Sequence, residues 1–437
     1  MDIHVVSKLD SSQHAAFQMT KPSLPLAPSS VRVQPTLVSL ASNNLTYAGM
    51  GDMLHWWDPY PVPATAPVPY NNRSVWGIVP AWGFAKVIAS TTVSLPGETT
   101  FLWGYWPLSS HVVDLQLIVA EPEGHWMEVS PYRQALLPLY NRYIRVNNNT
   151  LTLSTSNNLS TVDCQGWEAS MRPVWACGYL LSEYVFTPNP QTHPPVHPTG
   201  NFAQEAWTTM EADISEAVVI NLSASSKTGR ALTYNLCGRP AGTGPLGLLQ
   251  ITSSPSAIAQ ADLSSLFPVH VVSYTQVSSS AVVQSVEEWL VSRQPKKIVI
   301  VDHGGRDGSL LQLHSLIKNN PFLKTCQLMV LAVGLQQKVY KMEDLEAMQK
   351  TLIHLHQIQV NTSAMQEAAI ATTGPTQYFG ELDQRWASWL AGKEAAAPDL
   401  RLVWGKGVVG AQGIEGGWES LCQSRVKPDE ALVYTIA

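Results

Sequence analysis

The chain has 437 residues, of which 45% are hydrophobic and 14% charged, enough apolar material for two domains and too much for wholesale disorder. A formal net charge of -6 and a pI near 6.1 argue against nucleic acid or an anionic membrane as partner. No apolar run approaches the roughly 18 residues of a membrane span, and Met1-Asp-Ile-His4 carries no basic-then-apolar leader.

In chain order, residues 1–30 predict a first strand and then a Pro/Ser-rich loop over 21–30. Val31 to Val38 alternates and reads as a strand. After Ser42–Asp52 and the Trp56-Trp57-Asp58-Pro59-Tyr60-Pro61 stretch comes a proline-rich loop through Pro69. Val75–Ala89 is strand-like with glycine breaks, Val93–Gly97 turns, Thr100–Trp106 is another strand, and His111–Leu117 follows. Many short strands with Gly/Pro turns imply a barrel-like β domain. Trp56, Trp57, Tyr60, Trp82, Trp103 and Trp106 either wall an apolar pocket or fill a core; composition alone leaves both open. Val146–Thr150 reads as a polar loop, Met171–Phe186 as a helix, Thr187–Thr199 as a proline-rich surface loop, and Ala203–Ile214 as a helix.

The second half turns on Val218–Leu222, a short apolar run suited to a strand buried on both faces. Ser223, Ser225, Ser226, Lys227, Thr228 and Gly229 make a turn of small residues, and Ala231, Leu232 and Leu236 fit one helix face. A helix that starts at such a turn offers free N–H groups to an anion, and the hydroxyls and the lysine strengthen a phosphate reading. Only Gly229 remains of the glycine fingerprint of dinucleotide-binding folds, so an ordinary serine-capped helix is the competing reading. The next strand, Gly247–Ile251, ends in Thr252-Ser253-Ser254-Pro255. An acid there would hold the ribose 2′-hydroxyl of NAD, whereas Ser253, Ser254, Lys227 and Arg239 would tolerate a 2′-phosphate. If a nicotinamide cofactor binds, NADP(H) is therefore favoured over NAD(H). Strands at Val269–Tyr274, Lys297–Asp302 and Gln327–Val333 alternate with a helix at Ser279–Ser292, and His303-Gly304-Gly305 forms the turn after the middle one. This alternation predicts a doubly wound parallel sheet. Met342–Leu355 reads as a helix and Tyr378–Leu390, with Trp386 and Trp389, as a lid or packing helix. Glu394–Pro398 is a linker and Leu402–Val409 returns to β.

Asn43-Asn44-Leu45-Thr46-Tyr47, Trp82–Val87, Gly97–Tyr105 with His111-Val-Val, and the ending Trp418–Leu421 with Val426–Val433 together resemble the medium-chain dehydrogenase/reductase superfamily, in its zinc-free quinone and enoyl reductase-like form. Asn-Leu-Thr-Tyr-Ala, Trp-Gly-Phe-Ala and Ser-Ala-Ser-Ser-Lys-Thr also resemble a microbial and fungal branch of unknown function. The resemblance implies an α/β chain: a GroES-like β-barrel domain over 1–165, a Rossmann-type domain over 166–370 and a return segment over 371–437, with inserts near 145–165, 187–203 and 360–410. It implies a substrate-side loop at Asn43–Tyr47. Tyr47 becomes the first candidate acid or hydrogen-bond donor, Asn44 could orient a carbonyl, and Asp52 and His111 are alternatives. Each could equally be a turn or core residue. Tyr274, Gly304 and Gly305 join the serines, Lys227 and Thr228 on the cofactor side.

No cysteine precedes Cys164, so no catalytic zinc is expected. The five cysteines, Cys164, Cys177, Cys237, Cys326 and Cys422, form no CxxC pair and suit free thiols in a reducing, cytoplasmic setting. The expected activity is NADP(H)-dependent reduction of a carbonyl or activated double bond in a small hydrophobic metabolite, by a homodimer. The competing expectation is a non-redox cyclase, isomerase or dehydratase, including a pericyclase, on the same scaffold.

Overall fold

The computed structural model describes the chain apart from residues 21–24, 93–94, 96–99, 147–159, 279–282, 307 and 437. Most of the expected turn at Val93–Gly97 and the loop over 146–150 lie outside the described residues, as does the start of the helix expected at Ser279.

The chain opens with β1 (Asp2–Ser7), β2 (His14–Gln18), β3 (Val31–Leu40) and α1 (Ser42–Gly49). It continues through β4 (Trp76–Gly77), β5 (Pro80–Ser90), β6 (Phe101–Pro107), β7 (Val113–Leu115), β8 (Leu117–Ala120), β9 (His125–Glu128) and β10 (Arg142–Val146). Then follow α2 (Thr161–Ser170), α3 (Arg172–Leu180), α4 (Thr209–Ala212), β11 (Ala217–Leu222), α5 (Lys227–Cys237), β12 (Gly247–Thr252), α6 (Pro255–Ala259) and β13 (Val269–Ser273). Next are α7 (Tyr274–Ser278), α8 (Val283–Ser292), β14 (Lys297–His303), α9 (Ser309–Asn319), β15 (Gln327–Gly334), α10 (Met342–His354) and β16 (Ile358–Gln359). The end is α11 (Thr362–Thr373), α12 (Pro375–Ala391), α13 (Lys393–Ala396), β17 (Arg401–Lys406), α14 (Ile414–Cys422) and β18 (Glu430–Thr435).

Two compact units result. The first comprises Met1–Pro173, Gln337–Met342 and Leu400–Ala437; the second comprises Val174–Gln336 and Glu343–Asp399. The division therefore falls after Pro173 rather than at 165, and the return begins at Leu400 rather than at 371. The reason is aromatic packing: Trp386 of α12 stacks on Trp389 at 5.1 Å and meets Trp175 at 5.8 Å, while Tyr378 meets Tyr184 at 6.0 Å. Those contacts keep α12 with the second unit. Two helix expectations also change. Between Ala203 and Ile214 only Thr209–Ala212 is helical, capped by Thr208. The helix expected over Met171–Phe186 ends at Leu180 and passes into a π-helical turn, Leu181–Val185.

The first unit is built on two sheets. One has the order β2-β1-β4; the other runs β17-β18-β3-β5-β6-β10-β9-β8, with β7 also paired to β3. In β3 the sequence alternation becomes burial alternation: Val31 and Val33 point into the core while Arg32 and Gln34 are half-exposed. Gly83 of β5 lies so close to β3 that a Cβ would run into the Leu37 carbonyl, so only glycine fits there. A polar network crosses this core. Arg133 is fully buried; its Nε donates to Asn141 Oδ1 at 3.1 Å and lies 3.4 Å from Glu128 Oε2. Its terminal nitrogens donate to the Tyr143 hydroxyl at 2.8 Å, the Tyr140 carbonyl at 3.1 Å and the Tyr60 hydroxyl at 3.5 Å.

The second unit holds a six-stranded parallel sheet of order β13-β12-β11-β14-β15-β16. All six residues of β11 are buried, which suits its apolar run, broken only by Asn221. The strand order reverses between β11 and β14, the place where open α/β sheets bind ligands at their carboxyl edge. On one face Val218, Ile220 and Leu249 pack with Val286, Leu290 and Leu313 from the helices.

Candidate functional site

The β11–α5 bend sits at that switch point. Ser223 adopts a left-handed backbone with φ 68°, and its carbonyl accepts from the Ser226 N–H at 2.9 Å. Ser226 is the N-cap of α5: its Oγ accepts from the Gly229 N–H at 3.0 Å. A Cβ on Gly229 would lie 2.9 Å from the Ser223 carbonyl and 3.0 Å from both Asn221 Oδ1 and Ser226 Oγ, so the tightness of the bend requires glycine. Beneath it, Asn221 Nδ2 donates to the Gly229 carbonyl at 2.8 Å and to Thr233 Oγ1 at 2.9 Å, and Thr233 passes a bond to Gln250 at 3.0 Å. Arg230 locks the bend from the side. Its Nε donates to the Ser225 carbonyl at 3.0 Å and its two terminal nitrogens grip Asp399 at 2.8 and 2.7 Å. The result is a rigid turn that presents the amino end of an eleven-residue helix, with Ser223, Ser226, Lys227 and Thr228 half-buried on it and Ser225 buried.

Around the bend, Ser253 is exposed, the Ser254 N–H donates to Thr252 Oγ1 at 3.1 Å, and no acidic residue stands between Gly247 and Ala261. Tyr274, the first residue of α7, lies beside the Ser223 side chain, and the Arg306 guanidinium lies 5.2 Å over its ring. Burial pushes the Tyr274 phenol above its usual range. Gly304 has φ 90° and abuts the Leu335 backbone, where a Cβ would come within 2.5 Å. Asp302 Oδ1 accepts from the N–H groups of Gly304 at 3.0 Å and Gly305 at 2.7 Å, which shapes the turn after β14. Its neighbour His303 is buried, with neither ring nitrogen hydrogen-bonded among the described residues, and burial drives it down to about 3. Arg239, expected near the 2′-phosphate, is instead buried and donates to the Phe186 carbonyl at 2.6 Å, to the Ser182 carbonyl and to Ser182 Oγ at 3.2 Å, bracing the π-helical turn.

Burial raises the Asp302 carboxyl from 3.8 to about 6, although the two glycine N–H groups pull it the other way. An acid with a higher pKa folded than unfolded stabilises the fold while protonated. That contribution is complete below about pH 4 and is lost as pH climbs through about 6. Asp302→Asn keeps the acceptor without the charge. Its melting temperature is expected to vary less than that of the parent between pH 4 and 6; parallel slopes in that interval would show that Asp302 is not the group responsible.

In the first unit, Asn43–Tyr47 is helical, in α1, and not the expected loop. Asn44 explains why: its Oδ1 accepts from the Ala41 N–H at 2.7 Å and its Nδ2 donates to the Pro80 carbonyl at 2.9 Å, so both ends of the amide serve the backbone. Tyr47 is buried in an aromatic knot. The Trp82 Nε1 donates to its hydroxyl at 3.3 Å, and Trp56, Tyr105 and Tyr140 meet its ring at 4.7, 5.4 and 6.1 Å. Trp82 stacks on Trp103 at 4.9 Å. Burial pushes the Tyr47 phenol up, so it stays protonated at neutral pH. Asp52 is exposed, 3.5 Å from Lys8 Nζ. His111 is held down to about 4 by burial, with Nδ1 2.7 Å from Ser109 Oγ. Tyr60 and Trp106 are core residues: Tyr60 donates to the Tyr105 carbonyl, and Trp106 Nε1 donates to the Gly83 carbonyl at 3.1 Å.

The structure thus gathers Ser223, Ser225, Ser226, Lys227, Thr228 and Tyr274 about one bend, and Tyr47, Trp56, Trp82 and Trp103 in one knot, while Asp52 and His111 take other partners. The sequence reading missed Arg230, Asp302, Arg306 and Asp399. Only Arg306, directly after Gly304-Gly305, had a local signal. Among the described residues no group of three or more His, Cys, Asp or Glu side chains is placed to hold a metal ion, and no helix is long and apolar enough to cross a membrane.

The fold is shared with solved structures. A mutant form of enoyl thioester reductase from Candida tropicalis superposes with a TM-score of 0.53 at 10% identity, over 99% of each chain. The Etr1p complex with NADP and crotonyl-CoA matches with the same values, and the CurF ER cyclopropanase of the curacin A pathway gives 0.50 at 12% identity over 99% of each chain. At such identities the likeness is one of fold: a GroES-like domain with a Rossmann-type domain, as in medium-chain dehydrogenases and reductases. No curated protein matches the sequence. Residues 38–427 match the family described as protein of unknown function (DUF2855), and the chain belongs to that family.

Proposed function

We propose that this chain is a zinc-free, NADP(H)-dependent oxidoreductase that reduces an activated double bond or carbonyl of a hydrophobic small molecule, acting in the cytoplasm as a homodimer. The observation that carries the reading is the locked, serine-lined bend at the sheet's switch point, beside a β12 end without a carboxylate. The residues suit the cofactor. Ser223, Ser225, Ser226, Lys227 and Thr228 would hold its diphosphate, Ser253 and Ser254 its 2′-phosphate, and Tyr274, Arg306, Gly304 and Gly305 the surrounding parts. Such a cofactor supplies a hydride when bound. Likeness of fold to an enzyme solved with NADP and crotonyl-CoA supports both the cofactor and an enoyl-type acceptor.

In this reading Tyr47 serves as a hydrogen-bond donor to the acceptor's oxygen, because a phenol raised by burial cannot act as a base. Trp56, Trp82 and Trp103 supply apolar surroundings. Tyr47 ranks ahead of Asn44, whose amide is committed to the backbone, and of Asp52 and His111, which are held by Lys8 and Ser109.

Titration of the purified protein with NADPH, followed by the cofactor's fluorescence, is the test. Saturable binding on the order of micromolar is expected, with NADH weaker by about tenfold or more, a difference of about 1.4 kcal/mol. No saturation up to about a millimolar would overturn the proposal. One observation favours a second reading, a non-redox cyclase, isomerase or dehydratase: the bend keeps a single glycine, Gly229, of the usual dinucleotide fingerprint. Turnover without any added nucleotide would select it.

A further inference from the structure

A cavity of about 350 Å³ opens in the first unit, with Lys8, Trp57, Arg73, Trp76 and Tyr132 among its lining residues. Its walls are fixed. The Trp57 indole is slotted between Gly51 and Gly77, where a Cβ on either glycine would collide with the ring. Trp57 is buried, and Trp76 meets Tyr70 edge-on at 5.0 Å. The charges are placed at the rim. Arg73 donates through Nε to the Val62 carbonyl at 2.6 Å, which holds the guanidinium in position, and its terminal nitrogens have no partner among the described residues. Lys8 Nζ sits 5.5 Å over the Trp57 ring and 3.5 Å from the exposed Asp52. The one lining carboxylate, Asp58, is taken by His55 Nδ1 at 2.9 Å. Trp76 and Tyr132, which unlike Trp57 keep exposed ring surface, stand next to a guanidinium with free terminal nitrogens and a nearby ammonium; this suits a flat apolar body ending in a carboxylate, which arginine grips in bidentate fashion.

We propose that this cavity is a binding site for small planar carboxylates, with Arg73 as the anion anchor, Trp76 and Tyr132 as the apolar walls and the clamped Trp57 as the floor. The site lies wholly within the first unit, so it stands apart from the nucleotide reading.

The test compares 2-naphthoate with 2-naphthalenemethanol, which has the same rings and no charge, by calorimetry on the full chain. Saturable naphthoate binding is expected, tighter than the alcohol by about tenfold or more. Arg73→Ala should abolish that preference, and Arg73→Lys should keep part of it, since a lysine retains charge but not the fork. Equal affinity for the two ligands, no saturation up to about 10 mM, or an unchanged preference in Arg73→Ala would each overturn the proposal. Arg73 is exposed, so its replacements should melt with the parent. If Arg73→Ala does not fold, the Arg73→Lys and Lys8→Gln variants decide: a preference unaltered in both rejects the site.

Discussion

An Arg133→Leu variant is expected to lose about 3–5 kcal/mol of folding stability, the range for removing one partner of a buried ion pair. Arg133 has no exposed surface and spends its hydrogen bonds on Asn141, Tyr60, Tyr143 and the Tyr140 carbonyl. Burial opposes its charge, yet the net effect of Tyr143, Tyr60 and Glu128 holds it above the ordinary arginine range, so it stays cationic at any accessible pH. Removing it leaves Glu128, equally buried, without its counter-charge, and leaves tyrosine hydroxyls short of partners. Urea unfolding monitored by tryptophan fluorescence reads the effect. A loss below about 1 kcal/mol would mean that the network is incidental to the fold.

The second large effect concerns the bend itself. Arg230→Leu is expected to cost a further several kcal/mol in its own right, about 3–5, and to weaken NADPH binding, because the same side chain anchors the Ser225 carbonyl and Asp399. The sharper measurement is the double variant. With Asp399→Leu added, no buried charge is left unpaired, and most of the lost stability should return, as it does when buried pairs are replaced whole. The NADPH affinity should not return, since Ser225 remains untethered. Stability and affinity recovering together would show that Arg230 acts only through its charge.

These two predictions mark where sequence reading ends. The strand-turn-helix at Val218–Leu236 was legible because three local signals agree: an apolar run, a serine cap and helical apolar spacing. The doubly wound order followed from the alternation of such runs with helices. Arg230 and Asp399 are 169 residues apart, and nothing local marks Arg230 as buried or the two as partners. The loop expected at Asn43–Tyr47 rests on the resemblance alone, whereas Asn44 here caps the very helix it sits in. The domain edges shifted for a similar reason: which helices belong together was decided by tryptophan and tyrosine rings meeting across some 200 residues, as between Tyr184 and Tyr378. Trp56 to Trp106 shows the remaining ambiguity resolved side chain by side chain, with Trp106 and Tyr60 serving the core and Trp56, Trp82 and Trp103 gathered round Tyr47.

The desolvated thiols carry a practical consequence. Desolvation lifts Cys177 and Cys237 to about 11 and Cys422 to about 12, so almost none of each is thiolate at neutral pH. Alkylating dyes and oxidants attack the thiolate, which makes these three thiols quiet toward them. Cys326 is the exception, only half-buried, so it would have to be replaced before one cysteine engineered onto the surface took a spectroscopic label selectively.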